Sequence, residues 1–354
     1  MNNILLILTG GTICSFENKN GEQTADTSKA KALIVKKFRE SDSLYANEEA
    51  TTFDCQMPLN TLSENITAED YKTLIAAIKS YDFSLYNGVI ILHGTDTLAY
   101  TSALLSLVLA NTKIPVILVS SFSPLYKENT NGNENFKTAV ELIANGLTAN
   151  VYAVYQNVET INGNTGRKMY LHYASHLKQC ENGSNNFYSA DMCEINDTNT
   201  LPEFKKASGK NMLCYDYSAL CSCVLNVYPY PLIDYSRFSL NGIKAVLHHT
   251  YHSGTVAVNG NTKNSVLYLK QLCDNNKPHT ELYFEGVNKN NSYLYETTGE
   301  LLRNGVGTIW GTTKEMAYIK LLLGCNFGLT GTDLQEFMDT EINNEFFHNC
   351  KMLK

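Results

Sequence analysis

No apolar run in this chain approaches the ~20 residues that a membrane-spanning helix needs; the longest, such as Ile4–Leu8 and Ile114–Val119, fall far short. A leader with a basic start, an apolar core and a cleavage site is also missing. The first strand is expected to begin at Ile4, so the N-terminus reads as part of the mature fold. Basic runs are missing too. Lys and Arg number 28 against 35 Asp and Glu, a formal charge of −7. That balance disfavours nonspecific binding to nucleic acid and offers no handle to a membrane surface. There are no repeats, and no low-complexity tract beyond Asn-rich patches. The glycine spacing of a dinucleotide fingerprint and the Lys of a P-loop are absent. The 10 cysteines are scattered. Cys221 and Cys223 are close, but no second pair with zinc-ligand spacing partners them. The default expectation is reduced, partly buried thiols in a cytoplasmic protein, with a periplasmic, disulfide-bearing chain as the alternative.

What is present fits a soluble globular chain: hydrophobic content is 44% and charged content 18%. A length of 354 residues is comfortable for two domains. The first half alternates short apolar strands with helical patterns. Strands are expected at Ile4–Leu8, Val89–Leu92, Ile114–Val119 and Val151–Tyr155. Helices are expected at Thr27–Phe38, after the capping box Thr67–Asp70, over Leu98–Leu109, and around Phe136–Ile143 with a stop at Gly146. All-apolar strands between helices imply a doubly wound parallel sheet, covered on both faces, in a larger N-terminal domain. Residues 181–212, dense in Asn, Ser, Asp and Gly, are expected to be a linker, with the first domain over 1–200. The pattern then resumes over 213–354 as a smaller α/β domain. Its expected strands are Ala245–Leu247 and Glu281–Phe284. Its expected helices include the face Val266, Leu269 and Leu272, one capped by Thr312–Glu315 and stopped at Gly324, and one opened by Thr332–Gln335.

Two strands empty abruptly into small and hydroxyl residues. Ile4–Leu8 is followed by Thr9-Gly10-Gly11-Thr12, and Val89–Leu92 by His93-Gly94-Thr95-Asp96-Thr97. A helix N-cap needs one such residue, not three in a row. In an open parallel sheet, ligands bind beyond the carboxyl ends of strands, where the strand order reverses. Two strand ends carrying hydroxyls could face one ligand there, and glycines would let backbone N–H groups approach it. A tight strand-to-helix turn with ordinary caps is the competing account.

The stretches TGGTI at 9–13 and HGTDTLAYT at 93–101 resemble the two signature motifs of the bacterial-type L-asparaginases. Ser63-Glu64-Asn65-Ile66-Thr67 is similar to that family's middle motif, and Val119–Pro124 to a looser one. The resemblance covers most of residues 1–180. It implies hydrolysis of the asparagine side-chain amide to aspartate and ammonia, in the cytoplasm, through a threonine acyl-enzyme, with some glutaminase activity and no metal or cofactor. Thr12 would be the nucleophile and Thr95 the hydroxyl opposite it. Lys168, five residues beyond Gly163, would be the catalytic lysine. Asp96 would orient that lysine or hold the substrate's α-ammonium group. Ser63 would bind the α-carboxylate, Glu64 the ammonium, Ser121 the amide or oxyanion, and Ser253 would come from across a subunit boundary in a homodimer or homotetramer. A carboxylate touching Lys168 raises its pKa, so the base role and the contact with Asp96 oppose each other.

One departure from the family stands out. Its lid carries a Tyr about a dozen residues after the nucleophile, whereas Cys14–Lys37 contains none. Glu17, Glu22 or Tyr45 are the candidates to replace it on the polar lid Phe16–Asp26. The pairs His172/His176 and His248/His249, with His252, are expected to be structural. Two rivals to the amidohydrolase are a noncatalytic aspartate or asparagine sensor, and the amidase subunit of a tRNA-dependent amidotransferase. The latter is expected to carry an added domain for its partner.

Overall fold

The computed structural model describes residues 1–161, 163–260, 262–286 and 295–347. The chain divides into two compact units, Met1–Tyr215 and Asp216–Lys354.

In the first unit, strands β1 (Asn2–Leu8), β4 (Thr51–Gln56), β5 (Gly88–Leu92), β6 (Val116–Val119), β7 (Val151–Ile161), β8 (Asn164–Tyr173) and β9 (Cys193–Glu194) form one sheet, ordered β4-β1-β5-β6-β7-β8-β9. The first five in that order run parallel, and β8 and β9 are antiparallel additions. A small hairpin pairs β2 (Ser15–Glu17) with β3 (Gln23–Ala25). Helices α1 (Thr27–Arg39), α2 (Ala68–Lys79), α3 (Leu98–Val108) and α4 (Gly132–Ala144) lie between the strands.

Side-chain alternation along the strands explains the layers. Ile4, Leu6, Leu8, Ile90, Leu92, Ile117 and Val119 pack with Ala30, Ile34 and Phe38 of α1 and with Phe136, Ala139, Val140 and Ile143 of α4. The intervening Leu5, Ile7, Val89, Ile91 and Leu118 are equally buried, on the opposite face. Residues on both faces of the strands are therefore apolar. α3 packs on β7, and within it all but Tyr100 is buried. The expected capping box is present: Thr67 accepts from Asp70 N–H while the Asp70 carboxylate accepts from Thr67 N–H. α4 gives way to Gly146 at φ +85°, as expected of a helix stop.

Several local expectations need correction. β6 starts at Val116 rather than Ile114, one residue past Pro115, which has no N–H to give the ladder. β4, of sequence TTFDCQ, carries no apolar signal because only its first residue is fully buried. Residues 181–212 are not a free linker. β9 pairs with β8, Phe187 is buried, Phe204 packs edge-on to Tyr152 and Tyr173, and Ala207 N–H donates to Ala149 C=O. Aromatic anchors hold this polar segment on the first unit's surface.

The second unit is a four-stranded parallel sheet in sequence order: β10 (Val224–Val227), β11 (Ala245–His248), β12 (Glu281–Gly286) and β13 (Gly307–Trp310). It carries α5 (Val266–Asn275), α6 (Glu296–Arg303), α7 (Lys314–Asn326) and α8 (Gly331–Asp339). Val246, Leu269, Leu282, Phe284 and Leu301 lie in its core. The cap of α7 is Thr313, not Thr312. Gly324 does not stop α7, which runs to Asn326; a Cβ there would meet Leu334 of α8 at 2.5 Å, so the glycine permits helix-to-helix contact. Residues 348–354, part of the expected second domain, lie outside the described residues. Among the described residues no helix is long and apolar enough to cross a membrane.

Candidate active site

In the first unit the strand order reverses at β1: its neighbours are β4 on one side and β5 on the other. The first residues after β1 and β5 therefore lie side by side at the carboxyl ends, at the switch in strand order where open α/β sheets bind their ligands. These are the two motif loops.

The loops are locked together through backbone. Thr9 N–H and its hydroxyl both donate to Leu92 C=O, at 3.1 and 2.9 Å. Gly11, at φ +75°, lies against Gly94 so closely that a Cβ would fall 2.1 Å from the Gly94 Cα. Only glycine tolerates both that angle and that approach. The segment after β4 is the third wall. Gly11 N–H donates to Thr61 C=O at 2.8 Å, and a Cβ on Gly94 would meet the Ser63 hydroxyl at 2.4 Å. Ser63 accepts from Asp96 N–H at 3.2 Å on its hydroxyl, and from the Thr97 hydroxyl at 3.0 Å on its carbonyl.

Thr12 opens a 3-10 turn beside this junction, and Thr95 lies on the facing loop. Both are half-buried, and among the described residues neither hydroxyl takes a hydrogen-bond partner from the chain. Two hydroxyls left open at a glycine-to-glycine contact are a place for an outside group. Ser63 has accepted one bond and keeps its proton to donate. Glu64 and Asp96 are exposed carboxylates next to it.

Two neighbours escaped sequence reasoning. Gln179 donates to Thr95 C=O at 2.8 Å and accepts from Ala99 N–H at 3.3 Å, which fixes the turn from Thr95 into α3. It is 84 residues from Thr95, and nothing local marks it. His93 is fully buried, with Nδ1 2.8 Å from Gly94 C=O and Nε2 2.9 Å from the Thr101 hydroxyl. Burial pushes its pKa down to about 4, so it is neutral, with Nδ1–H donating and Nε2 accepting.

Other expected site residues sit differently. Lys168, on β8, is ion-paired with Glu194 at 2.8 Å. That hydrogen bond raises its pKa, and Glu159 adds to the effect. Its partner is Glu194 rather than Thr95 or Asp96, because β9 lies beside β8 with Glu194 opposite Tyr170, two residues from Lys168 on the same face. A lysine so held stays charged and is a poor base. Ser121 is buried, and its hydroxyl is spent on Ser123 C=O, Ser123 N–H and the Thr130 hydroxyl. It stiffens the loop before α4 rather than presenting an oxygen to a ligand. Ser253 belongs to the second unit, where its hydroxyl lies 2.9 Å from that of Thr255.

The expected lid, 16–26, is the β2–β3 hairpin with the N-cap of α1. Its base is tied to the Thr12 turn: Ser15 donates to Gly11 C=O and Asp26 N–H to Cys14 C=O, both at 2.9 Å. Its aromatic partner is Tyr126, from the loop before α4. The ring stacks on Phe16 at 5.7 Å, and Gln23 donates to its hydroxyl at 3.1 Å. The three expected substitutes act elsewhere or only within the hairpin. Tyr45 bonds Asn145, Glu22 accepts from Asn18 in the turn, and Glu17 closes the β2 end of the hairpin against Gln23.

Among the described residues no cluster of His, Cys, Asp and Glu could hold a metal ion. His172 contacts the Ser189 hydroxyl at 2.9 Å and His176 the Asp191 carboxylate at 2.8 Å.

Comparison with known proteins agrees with this architecture. The L-asparaginase of Thermococcus kodakarensis is 32% identical over 154 residues, 44% of this chain and 44% of that protein. The chain thus spans less than half the length of that curated relative. A subunit of the glutamyl-tRNA(Gln) amidotransferase of Methanococcus maripaludis is 26% identical over 372 residues, covering 98% of this chain and 81% of that protein. The fold matches the solved thermostable L-asparaginase of Thermococcus kodakarensis at a TM-score of 0.76 and 21% identity, over 98% of this chain and all of that one. The family model described as Asparaginase, N-terminal matches residues 3–195, more than half of the sequence and most of the unit that carries the two glycine-locked loops. The chain belongs to the asparaginase family.

Proposed function

We propose that the protein hydrolyses the side-chain amide of L-asparagine to aspartate and ammonia, with some action on glutamine. The observation that carries this reading is the pair of unpartnered hydroxyls, Thr12 and Thr95, on loops fused by the Gly11–Gly94 contact. Thr12 Oγ1 attacks the amide carbon, and its proton passes through the Thr95 side of the cleft to the leaving nitrogen, which departs as ammonia. Water then attacks the acyl-enzyme and returns the proton to Thr12. Ser63 donates to the substrate α-carboxylate, and Glu64 and Asp96 face its ammonium. Lys168, on β8 and neutralised by Glu194, takes no part in these steps. Tyr126 steadies the β2–β3 hairpin over the site. No cofactor enters these steps. The proposed homo-oligomer, with Ser253 contributed by a second copy, rests on the family resemblance alone, and sedimentation of the purified chain tests it.

The test is ammonia release from asparagine and from glutamine, for the intact chain and for Thr12→Ala. A loss of kcat on the order of 10⁴-fold with unchanged thermal unfolding is expected. Turnover that survives the substitution removes Thr12 as nucleophile. A second reading is favoured by the near full-length match to the amidotransferase component from Methanococcus maripaludis. It has this chain supply ammonia for amidation on tRNA, and it requires glutamine or asparagine hydrolysis that rises when aminoacylated tRNA and a partner protein are added. Asparagine binding without turnover in the intact chain supports the sensor instead.

A further inference from the structure

Thr97 occupies the N-cap of α3, yet its side chain makes no capping hydrogen bond. Its hydroxyl donates to Ser63 C=O at 3.0 Å instead. The first N–H groups of a helix have no partner inside it and need acceptors from elsewhere. For Ala99, in the first turn of α3, that acceptor is Gln179, 80 residues further along the chain, whose Oε1 lies 3.3 Å from Ala99 N–H. The same amide also donates. Its Nε2 gives a hydrogen bond to Thr95 C=O at 2.8 Å and one to Cys180 Sγ at 3.5 Å. A glutamine amide has one oxygen and two N–H donors, and all of them are placed by these three contacts.

The peptide unit between Thr95 and Asp96 is therefore held at both edges. Its C=O accepts from Gln179, and its N–H donates to the Ser63 hydroxyl at 3.2 Å. Leu98 N–H, 3.4 Å from the same carbonyl, adds a weaker contact. A trans peptide is planar, with C=O and N–H on opposite edges. Partners on both edges stop the plane from turning, and the Thr95 Cα is one of its corners. What freedom remains to the Thr95 hydroxyl is rotation of its own side chain. Gln179 is supported in turn. It follows the 3-10 turn Ala174–His176, which packs on α3, and the buried Leu177. Beside it, Lys178 N–H donates to Tyr188 C=O at 3.0 Å. The polar segment after residue 180 thus braces the residue that braces Thr95.

We propose that Gln179 is a positioning residue for Thr95: its side-chain N–H holds the Thr95–Asp96 peptide so that the Thr95 hydroxyl stays opposite Thr12 during turnover. This inference rests on the amide-hydrolysis reading above. Gln179 touches no reacting atom and acts through the backbone. Its two tasks are separable, because the oxygen reaches only Ala99 and the nitrogen reaches Thr95. A carboxylate in its place keeps the acceptor, and negative charge is favoured at a helix N-terminus. It has no proton to give to Thr95 C=O.

The experiment measures kcat and KM for ammonia release from asparagine with the full chain, Gln179→Glu and Gln179→Met. At pH 7.5 both variants are expected to lose about tenfold in kcat with KM within about twofold. Gln179→Glu is expected to keep the unfolding temperature and the slow amide exchange of Ala99, whereas Gln179→Met exchanges Ala99 faster. Divided by the intact chain at each pH, the Gln179→Glu kcat is expected to rise about two- to threefold from pH 7.5 to 5, as a carboxyl with an ordinary value near 4.3 begins to regain a proton to donate. Gln179→Glu at the intact kcat marks a plain helix cap and overturns the proposal, as does a loss carried by KM or a ratio that stays flat with pH. Should Gln179→Glu fold poorly, the kcat against KM split of Gln179→Met decides. An intact chain that hydrolyses neither asparagine nor glutamine removes the underlying reading instead. The clamp is then read from the Asp96 and Ala99 amides, and unchanged exchange at both in Gln179→Met overturns it.

Discussion

Each unit ends a central parallel strand in a buried histidine held in the same way. Beyond β5, His93 has Nδ1 2.8 Å from the next residue's carbonyl and Nε2 2.9 Å from a threonine hydroxyl. At the end of β11, His248 has Nδ1 2.6 Å from the next residue's carbonyl and Nε2 2.6 Å from the Tyr235 hydroxyl. From there the units part. In the first, the strand order reverses beside β5, the loops after β1 and β5 meet at Gly11 and Gly94, and the Thr12 and Thr95 hydroxyls take no partner among the described residues. In the second, the strands follow in order, and the polar groups at their ends satisfy one another: His249 contacts Glu285 at 3.0 Å and Asn226 at 2.6 Å, with Tyr228 stacked on it. The same strand-end device is followed by unpartnered hydroxyls where the strand order reverses, and by a hydrogen-bonded His249–Glu285–Asn226 network where it does not.

The largest effect that could break this contrast is at the glycine contact. Gly11→Ala combines a left-handed φ with a Cβ 2.1 Å from the Gly94 backbone. Gly242→Ala, in the second unit, has a comparable φ of +74° but nothing within 4 Å. Urea unfolding is expected to show a loss of about 3–5 kcal/mol for the first and about 1–2 for the second. Equal losses would mean that the two motif loops are not locked.

Next comes the pH dependence of the paired histidines. Burial lowers both His93 and His248 from 6.5 to about 4. The folded state therefore refuses a proton that the unfolded chain accepts. The stabilisation is full above pH 6.5 and drains away as pH falls through that value toward 4, by about 3 kcal/mol per histidine. Urea midpoints at pH 7 and 4.5 check this, and His93→Gln or His248→Gln should flatten part of the slope. An unchanged slope in both variants would remove the parallel between the units.

A smaller effect sharpens the first unit alone. Tyr126→Ala removes the Phe16 stack and the Gln23 hydrogen bond, about 1 kcal/mol of aromatic contact. Hydrogen exchange over residues 15–25 is expected to quicken severalfold while α1 is unaffected; unchanged exchange would show that the hairpin stands on its own. The smallest effect is at the half-exposed Lys168–Glu194 pair, where Glu194→Gln should leave the urea midpoint at pH 7 unchanged because solvent screens the interaction. Any contribution from the raised Lys168 pKa is present below the free lysine value near 10.4, and is lost only as pH rises through the folded value.

The sequence by itself determined the alternation of apolar strands and helices, the capping box at Thr67, the two hydroxyl-bearing strand ends and the family they resemble. These are local signals: a side chain's apolarity, a cap or a glycine angle is written within a few residues. Tertiary structure alone decided which distant groups share a space. It placed Glu194 rather than Asp96 on Lys168, Tyr126 rather than a lid tyrosine on the hairpin, and Gln179 under Thr95. Each of those pairings depends on which strand lies beside which, and a sheet's neighbour order is set by the burial of whole faces, not by any stretch of chain that could announce it.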